Sequence, residues 1–272
     1  MEGKIRFGII GCGAMGWTIA KAFDSGQING LLVGVFDEDA KKADALSEML
    51  KSRPPPHKSF KSLLKVSDFI IEAASQEAVR SYAVDVVKAD KNILIMSVGA
   101  LLDRKLQDEL TTQAEWHQAS IYLPSGALAG VDAVLAGACG RIDEIILTST
   151  KPPNGFNGVG YVEKTCIDLK GLKEATVLYE GMASEAVRLF PKNINVSAVL
   201  SLASGHDVRV RIVADPKTDR NIHEVKVRGS FGEITCVTSN VPSPTNPKTS
   251  YLACLAAIAV LKKVTGSVKI GN

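Results

Sequence analysis

An apolar segment, Ile5-Arg6-Phe7-Gly8-Ile9-Ile10, runs directly into Gly11-Cys12-Gly13-Ala14-Met15-Gly16, and a helical pattern begins at Trp17. Few structures accommodate a strand, a glycine turn and a helix in that order. Gly11 permits the tight turn, Gly13 lets the backbone approach a pyrophosphate, and Gly16 lets helix and strand pack closely. The helix start beyond the turn offers unpaired N–H groups and a partial positive charge to an anion. A bare GxGxxG is common, so its context carries the argument. Asp37 ends the next apolar run, Leu31 to Phe36, 21 residues after Gly16. A carboxylate there accepts from adenosine ribose hydroxyls and repels a 2′-phosphate. The spacing predicts dinucleotide binding at Gly11, Gly13, Ala14, Met15, Gly16 and Asp37, with NAD preferred to NADP. Lys41 and Lys42 soften that preference, and Glu38 and Asp39 read as residues that start a helix.

Strand and helix patterns alternate through the rest of the first half. Asp68 to Ala74, Asn92 to Val98 and Ser120 to Leu123 read as strands; Ala40 to Lys51, Glu77 to Lys88 and Asp103 to Trp116 read as helices. Such alternation implies a parallel sheet wound on both faces. After about Gly140 the pattern changes. Ile142 to Thr150 and Thr176 to Tyr179 read as strands, and Ser184 to Ser204 as helix broken at Pro191. Three alternating runs follow in succession: Val208 to Ala214, Ile222 to Arg228 and Glu233 to Ser239. Alternation of this kind predicts an antiparallel sheet with one covered face. The expectation is an α/β chain: an N-terminal Rossmann-type, doubly wound parallel sheet over 1–125, and a second α+β domain with a mostly antiparallel sheet over 126–241. The tail, 242–272, is expected to pack back on the first domain as a helix capped by Asn246, with Pro247 in its first turn.

Composition removes several function classes. Lys+Arg 32 against Asp+Glu 29 leaves a net charge of +3, without the basic footprint of a nucleic-acid binder. The five cysteines are scattered and form no CxxC, which argues against a zinc site or a disulfide framework and favours a reducing, cytoplasmic compartment. The apolar run Tyr251 to Leu261 falls short of the roughly 20 residues that span a bilayer. Neither HExxH nor GxSxG occurs, so metal-dependent and covalent hydrolytic chemistry are disfavoured, and no metal is expected.

Of the four histidines, His57 and His117 are expected to face solvent, and His206 has no obvious companions. Alternation puts His223, Val225 and Val227 on one strand face and Glu224, Lys226 and Arg228 on the other. Two readings stay open for His223: a core residue held by one hydrogen bond, which spacing favours, or a titrating group where the sheet meets a cleft. Ser125-Gly126-Ala127, Lys192-Asn193-Ile194-Asn195 and Asn246-Pro247-Lys248-Thr249-Ser250 each join a loop to a helix start. That geometry suits carboxylates, and equally suits ordinary capping. Lys151-Pro152-Pro153 reads as a junction loop or a cleft wall.

Taken together, Gly11 to Gly16, Ser125 to Asp132, Lys151-Pro152-Pro153, Phe190-Pro191-Lys192-Asn193-Ile194-Asn195-Val196, Asn221-Ile222-His223-Glu224 and Asn246 to Ser250 resemble the L-aspartate dehydrogenase family across most of the chain. The resemblance implies NAD(P)-dependent oxidation of L-aspartate to iminoaspartate, which hydrolyses to oxaloacetate and ammonia or feeds NAD biosynthesis. It implies that His223 is catalytic, that Ala127 and Asn193 contact NAD, and that a homodimer forms through the second domain. Ser125, Lys192, Lys248 and Thr249 are the candidates for the substrate carboxylates. The rival readings are another dehydrogenase of an amino acid, hydroxy acid or sugar on the same plan, and an NAD-binding sensor without turnover.

Overall fold

Short, almost wholly apolar strands, each followed by a crossover segment, leave the first half little choice but parallel pairing with helices over both faces. The computed structural model describes residues 3–165, 167–190, 194–243 and 246–271. The chain divides into two compact units, one comprising Met1–Pro124 and Cys254–Ile270, the other Ser125–Ala253.

The first unit runs β1 (Arg6–Ile10), α1 (Ala14–Asp24), β2 (Leu31–Phe36), α2 (Ala40–Met49), α3 (Phe60–Val66), β3 (Phe69–Glu72), α4 (Gln76–Lys88), β4 (Asn92–Ile95), α5 (Arg104–Trp116) and β5 (Ile121–Tyr122). All neighbouring strands pair in parallel, in the order β2-β1-β3-β4-β5. The winding direction therefore reverses between β1 and β3, the place where wound sheets open a crevice at their carboxyl ends. Side-chain caps set several helix starts: Asp39 accepts from the Lys41 N–H, Ser75 from Ala78, and Asp103 from Lys105.

The second unit holds α6 (Val131–Ala138), β6 (Ile142–Lys151), α7 (Gly160–Lys164), β7 (Thr176–Met182), α8 (Ala183–Leu189), α9 (Asn195–Ser204), β8 (Arg209–Ala214), β9 (Asn221–Gly229), β10 (Gly232–Asn240), β11 (Pro242–Ser243) and β12 (Asn246–Ser250). Its main sheet has the order β10-β9-β6-β8-β7. Ile145, Leu147, Val210, Ile212, Val225 and Val227 line the covered face. Glu144, Arg211, Glu224, Lys226 and Arg228 line the other, where Lys226 pairs with Glu224 at 2.8 Å. The last helix, α10 (Tyr251–Thr265), belongs to the first unit from Cys254 on, and Ala257, Ile258 and Leu261 join the core around Phe7, Ile19, Phe23 and Phe69.

Three expectations need correcting. The runs read as three successive antiparallel strands do not all pair in order: β9 and β10 form a hairpin, but β6 lies between β8 and β9 and is parallel to β8. Alternation reports that a strand has one covered face, and not which strand lies beside it. The helix expected from Pro247 starts only at Tyr251, because Asn246–Ser250 pairs with Pro242–Ser243 as a small ribbon. Proline tolerates a ribbon edge as readily as a first helical turn, since both leave its missing N–H unneeded. His57, expected in solvent, is half-buried, with Nδ1 at 3.0 Å from the Ser62 hydroxyl and Nε2 buried without a partner.

Candidate active site

The turn after β1 is shaped by glycine at each of its three motif positions, for different reasons. Gly11 has φ +95°, and a Cβ there would lie 2.7 Å from the Ala73 carbonyl group. A Cβ on Gly16 would run into the Gly11 carbonyl oxygen. Gly13 differs: it has φ −78°, it is exposed, and a Cβ there would meet nothing within 4 Å. Conformation and packing do not require glycine at that point; an open path to the backbone does. Gly13 is also the N-cap of α1 and supplies no side-chain cap, while Ala14 and Met15 are half-buried in the first turn. The N–H groups of that turn are thus left for an anion.

Asp37, at the end of β2, holds this turn from the side. Its Oδ2 accepts from the Cys12 N–H at 2.8 Å and its Oδ1 from the Asp39 N–H at 2.9 Å. Each carboxylate oxygen keeps a second lone pair for a hydroxyl donor. Burial, and secondly the Asp37 charge, push the Cys12 thiol up to about 12, so it is no nucleophile at neutral pH. A second carboxylate, Glu72 at the end of β3, is 1% exposed; it accepts from the Ala74 N–H at 2.8 Å and the Ser97 N–H at 2.9 Å. It ties the loops after β3 and β4 together. The Ala73 segment it anchors is the one packed against Gly11. An uncapped helix start, a backbone left open at Gly13 and a carboxylate at the end of β2 fit the pyrophosphate and ribose of NAD.

The second unit gathers polar side chains on the covered face of its sheet. His223 is 4% exposed, and pairing places it between Ser149 on β6 and Thr238 on β10. The Ser149 hydroxyl lies 3.0 Å from His223 Nδ1. Two residues beyond Ser149 on the same face, Lys151 closes β6 with 8% of its surface exposed. Burial pushes Lys151 down to about 8. Burial first, and then the Lys151 charge, push His223 down to about 3. The imidazole is therefore neutral at physiological pH.

Around this pair the loop 125–130 is fastened to β10. Thr238 and Asn240 both donate to the Ala127 carbonyl, at 2.8 and 3.1 Å, and Asn240 also donates to the Asn221 carbonyl at 3.1 Å. Asn221 in turn donates to the Ser250 hydroxyl at 3.3 Å, which ties the end of β12 to the start of β9. Ala127 is thus bonded to Thr238, the β10 residue paired with His223, and Thr249, next to Ser250, is half-buried. Ser125 is half-buried at the start of the unit. Lys192 and Asn193 lie outside the described residues, as does the side chain of Lys248. Sequence reasoning passed over Ser149, Thr238 and Asn240, and it named Lys151 and Asn221 only within longer motifs, without a role of their own. The signal for Ser149 and Lys151 was present: Ile145, Leu147, Ser149 and Lys151 alternate, so the strand's covered face turns polar at its end.

Comparison with known proteins fits both halves. Residues 11–124 match the family described as homoserine dehydrogenase, NAD binding domain, and residues 132–264 match aspartate dehydrogenase, C-terminal. The chain is 43% identical over 270 residues to an L-aspartate dehydrogenase of Methanosarcina barkeri, covering 98% of this chain and 100% of the relative. The chain belongs to the L-aspartate dehydrogenase family. A family member from Nitrosopumilus maritimus is 42% identical over 271 residues, covering 98% of this chain and 99% of that one. The crystal structure of the Thermotoga maritima aspartate dehydrogenase superposes with a TM-score of 0.79 at 25% identity, covering 98% and 99% of the two chains. The first family match begins at Gly11 and stops at Pro124, where the leading segment of the first unit also ends. The second encloses Ser149, Lys151, His223 and Asn240.

Proposed function

We propose that the protein is an L-aspartate dehydrogenase that uses NAD, and that His223 is its proton-transfer group. The observation that carries this is the buried, neutral imidazole held through Nδ1 by Ser149, in a chain that matches such enzymes from end to end. The Gly13 turn and Asp37 would hold NAD, and the cofactor would supply the hydride acceptor for oxidation at the Cα of aspartate. The protein's work is to position the substrate and move a proton.

Hydride departure leaves a cationic C=N, so the amino nitrogen must first give up a proton and supply its lone pair. With Nδ1 engaged by Ser149, Nε2 of His223 is the nitrogen that takes that proton. Burial and the Lys151 charge make the imidazole a weak base on its own; an approaching dicarboxylate counters that charge and strengthens it as substrate binds. The same group then serves the water that adds to iminoaspartate, from which oxaloacetate and ammonia leave. Asn240 and Thr238 keep the Ala127 loop against this strand end, in keeping with a cofactor-contacting role for Ala127. Asp37, with one lone pair per oxygen still available, supports NAD over NADP.

A homodimer formed through the second unit belongs to the same reading. The open face of its sheet carries exposed Val177, Met182 and Val237, and sedimentation velocity tests it. A cytoplasmic location is supported by thiols outside any disulfide at Cys12, Cys139 and Cys236. Among the described residues no helix is long and apolar enough to cross a membrane.

The test is aspartate-dependent formation of reduced cofactor at 340 nm, run with NAD and NADP. His223→Ala should lower turnover by about 10²–10⁴ and leave NAD binding intact. Full turnover in that variant removes the assignment. Cofactor binding without turnover of aspartate by the parent protein points to a sensor instead.

A further inference from the structure

We propose that Lys151 is the carboxylate anchor of the active site, its ammonium holding a carboxylate of the substrate whose amino group faces His223. The assignment rests on the aspartate dehydrogenase reading of the same site and names one of its substrate contacts.

The geometry is that of a built site. β6 and β9 pair with Ser149 opposite His223, and Lys151 follows Ser149 on the same covered face. Two residues along a strand separate the lysine from that pair by roughly 7 Å, the scale of a small dicarboxylic acid. The other cations on the strands of this sheet, Arg209, Arg211, Lys226 and Arg228, are all exposed. Lys151 is the one turned inward among them.

The lysine stem is also held in place. The turn Pro153–Phe156 lies over it: a Cβ on Gly155 would stand 3.6 Å from the Lys151 Cβ and 3.7 Å from its Cδ. Phe156 is 1% exposed and fixes that turn. Pro152 and Pro153 remove two backbone donors directly after the lysine and stiffen its exit from the strand.

The charge pattern selects the ligand. Among the described residues the buried carboxylate, lysine, arginine and histidine side chains are Glu72, Lys151 and His223, and Glu72 belongs to the first unit. In the second unit both are bases. Burying two bases side by side works against stability, because each disfavours the protonated form of the other. A dianionic substrate offsets that penalty; a neutral or cationic one does not. A lysine suits this position better than an arginine. Its compact ammonium meets one carboxylate as a point charge, next to an imidazole that must stay free to exchange a proton.

The experiment separates this anchor from the reaction. Succinate carries both carboxylates of aspartate and no amine, so it binds without being oxidised. Its affinity for the NAD-loaded protein is measured by calorimetry in wild type, Lys151→Met and Lys151→Arg, with melting curves to confirm folding. Lys151→Met should bind succinate about 10- to 100-fold more weakly, the range for a charge-assisted hydrogen bond. Lys151→Arg should recover part of the loss, and NAD affinity should stay as in wild type. Unchanged succinate affinity in Lys151→Met overturns the proposal, as does an equal loss of NAD affinity. Failure of the wild type to oxidise aspartate refutes the enzymatic reading, and the succinate comparison still decides the anchor.

Discussion

Glu72→Gln changes one oxygen of a buried carboxyl into an NH₂ group, and its consequence can be worked from the contacts. Oε1 accepts from the Ala74 N–H at 2.8 Å and the Ser97 hydroxyl at 2.9 Å; Oε2 accepts from the Ser97 N–H at 2.9 Å. Burial raises the Glu72 carboxyl above its ordinary range, against the pull of the donors at Ser97, Ala74 and Ser75. In either protonation state each oxygen faces a backbone N–H. Whichever way the glutamine amide turns, its NH₂ meets one of them. Two buried donors then face each other without an acceptor, at about 1–3 kcal/mol apiece, or about 2–6 kcal/mol together. For a unit of this size that corresponds to a fall in Tm of roughly 5–20 °C. The loop after β3 should also shift away from Gly11, so NAD affinity should fall with it. Thermal unfolding followed by circular dichroism, with a parallel NAD titration, reads both. A variant melting within about 1 °C of wild type would show that these hydrogen bonds do not hold the loops.

His223 predicts a pH dependence. Its folded value of about 3 lies below the ordinary 6.5, so between those values the unfolded chain binds a proton that the folded one does not. Wild type should lose stability as pH falls from 6.5 towards 3, and His223→Asn should remove that component; parallel stability curves for the two proteins would contradict it. Lys151, lowered from 10.5 to about 8, acts in the same sense, adding stability as pH rises from 8 towards 10.5, and Lys151→Met should flatten that limb in urea titrations. At the turn, Gly13→Ala meets no atoms and should melt close to wild type while weakening NAD by about tenfold or more; Gly16→Ala drives a methyl into the Gly11 carbonyl and should cost about 1–3 kcal/mol of stability. Equal melting of the two glycine variants would sink this distinction.

What could be read from the chain itself was local. The glycine turn was legible because the positive φ of Gly11 and the approach of Gly16 to the Gly11 carbonyl both lie within the turn itself. Strand periodicity put His223 on the covered face of β9, and Asp103 marked the start of α5, since both depend on spacing along one segment. The family resemblance supplied the role proposed for His223, which periodicity left open. Partners were another matter. That β6 lies between β8 and β9, parallel to one and antiparallel to the other, is a matter of pairing between segments far apart in the chain. That choice places Ser149 beside the imidazole and Lys151 just beyond it. The ribbon of β11 and β12 likewise overrode a good helix start, because pairing across the chain outweighed a local preference. Periodicity along one segment says which side of a strand is covered; only the assembled sheet determines what stands opposite, and in this protein Ser149, the partner of His223, stands opposite.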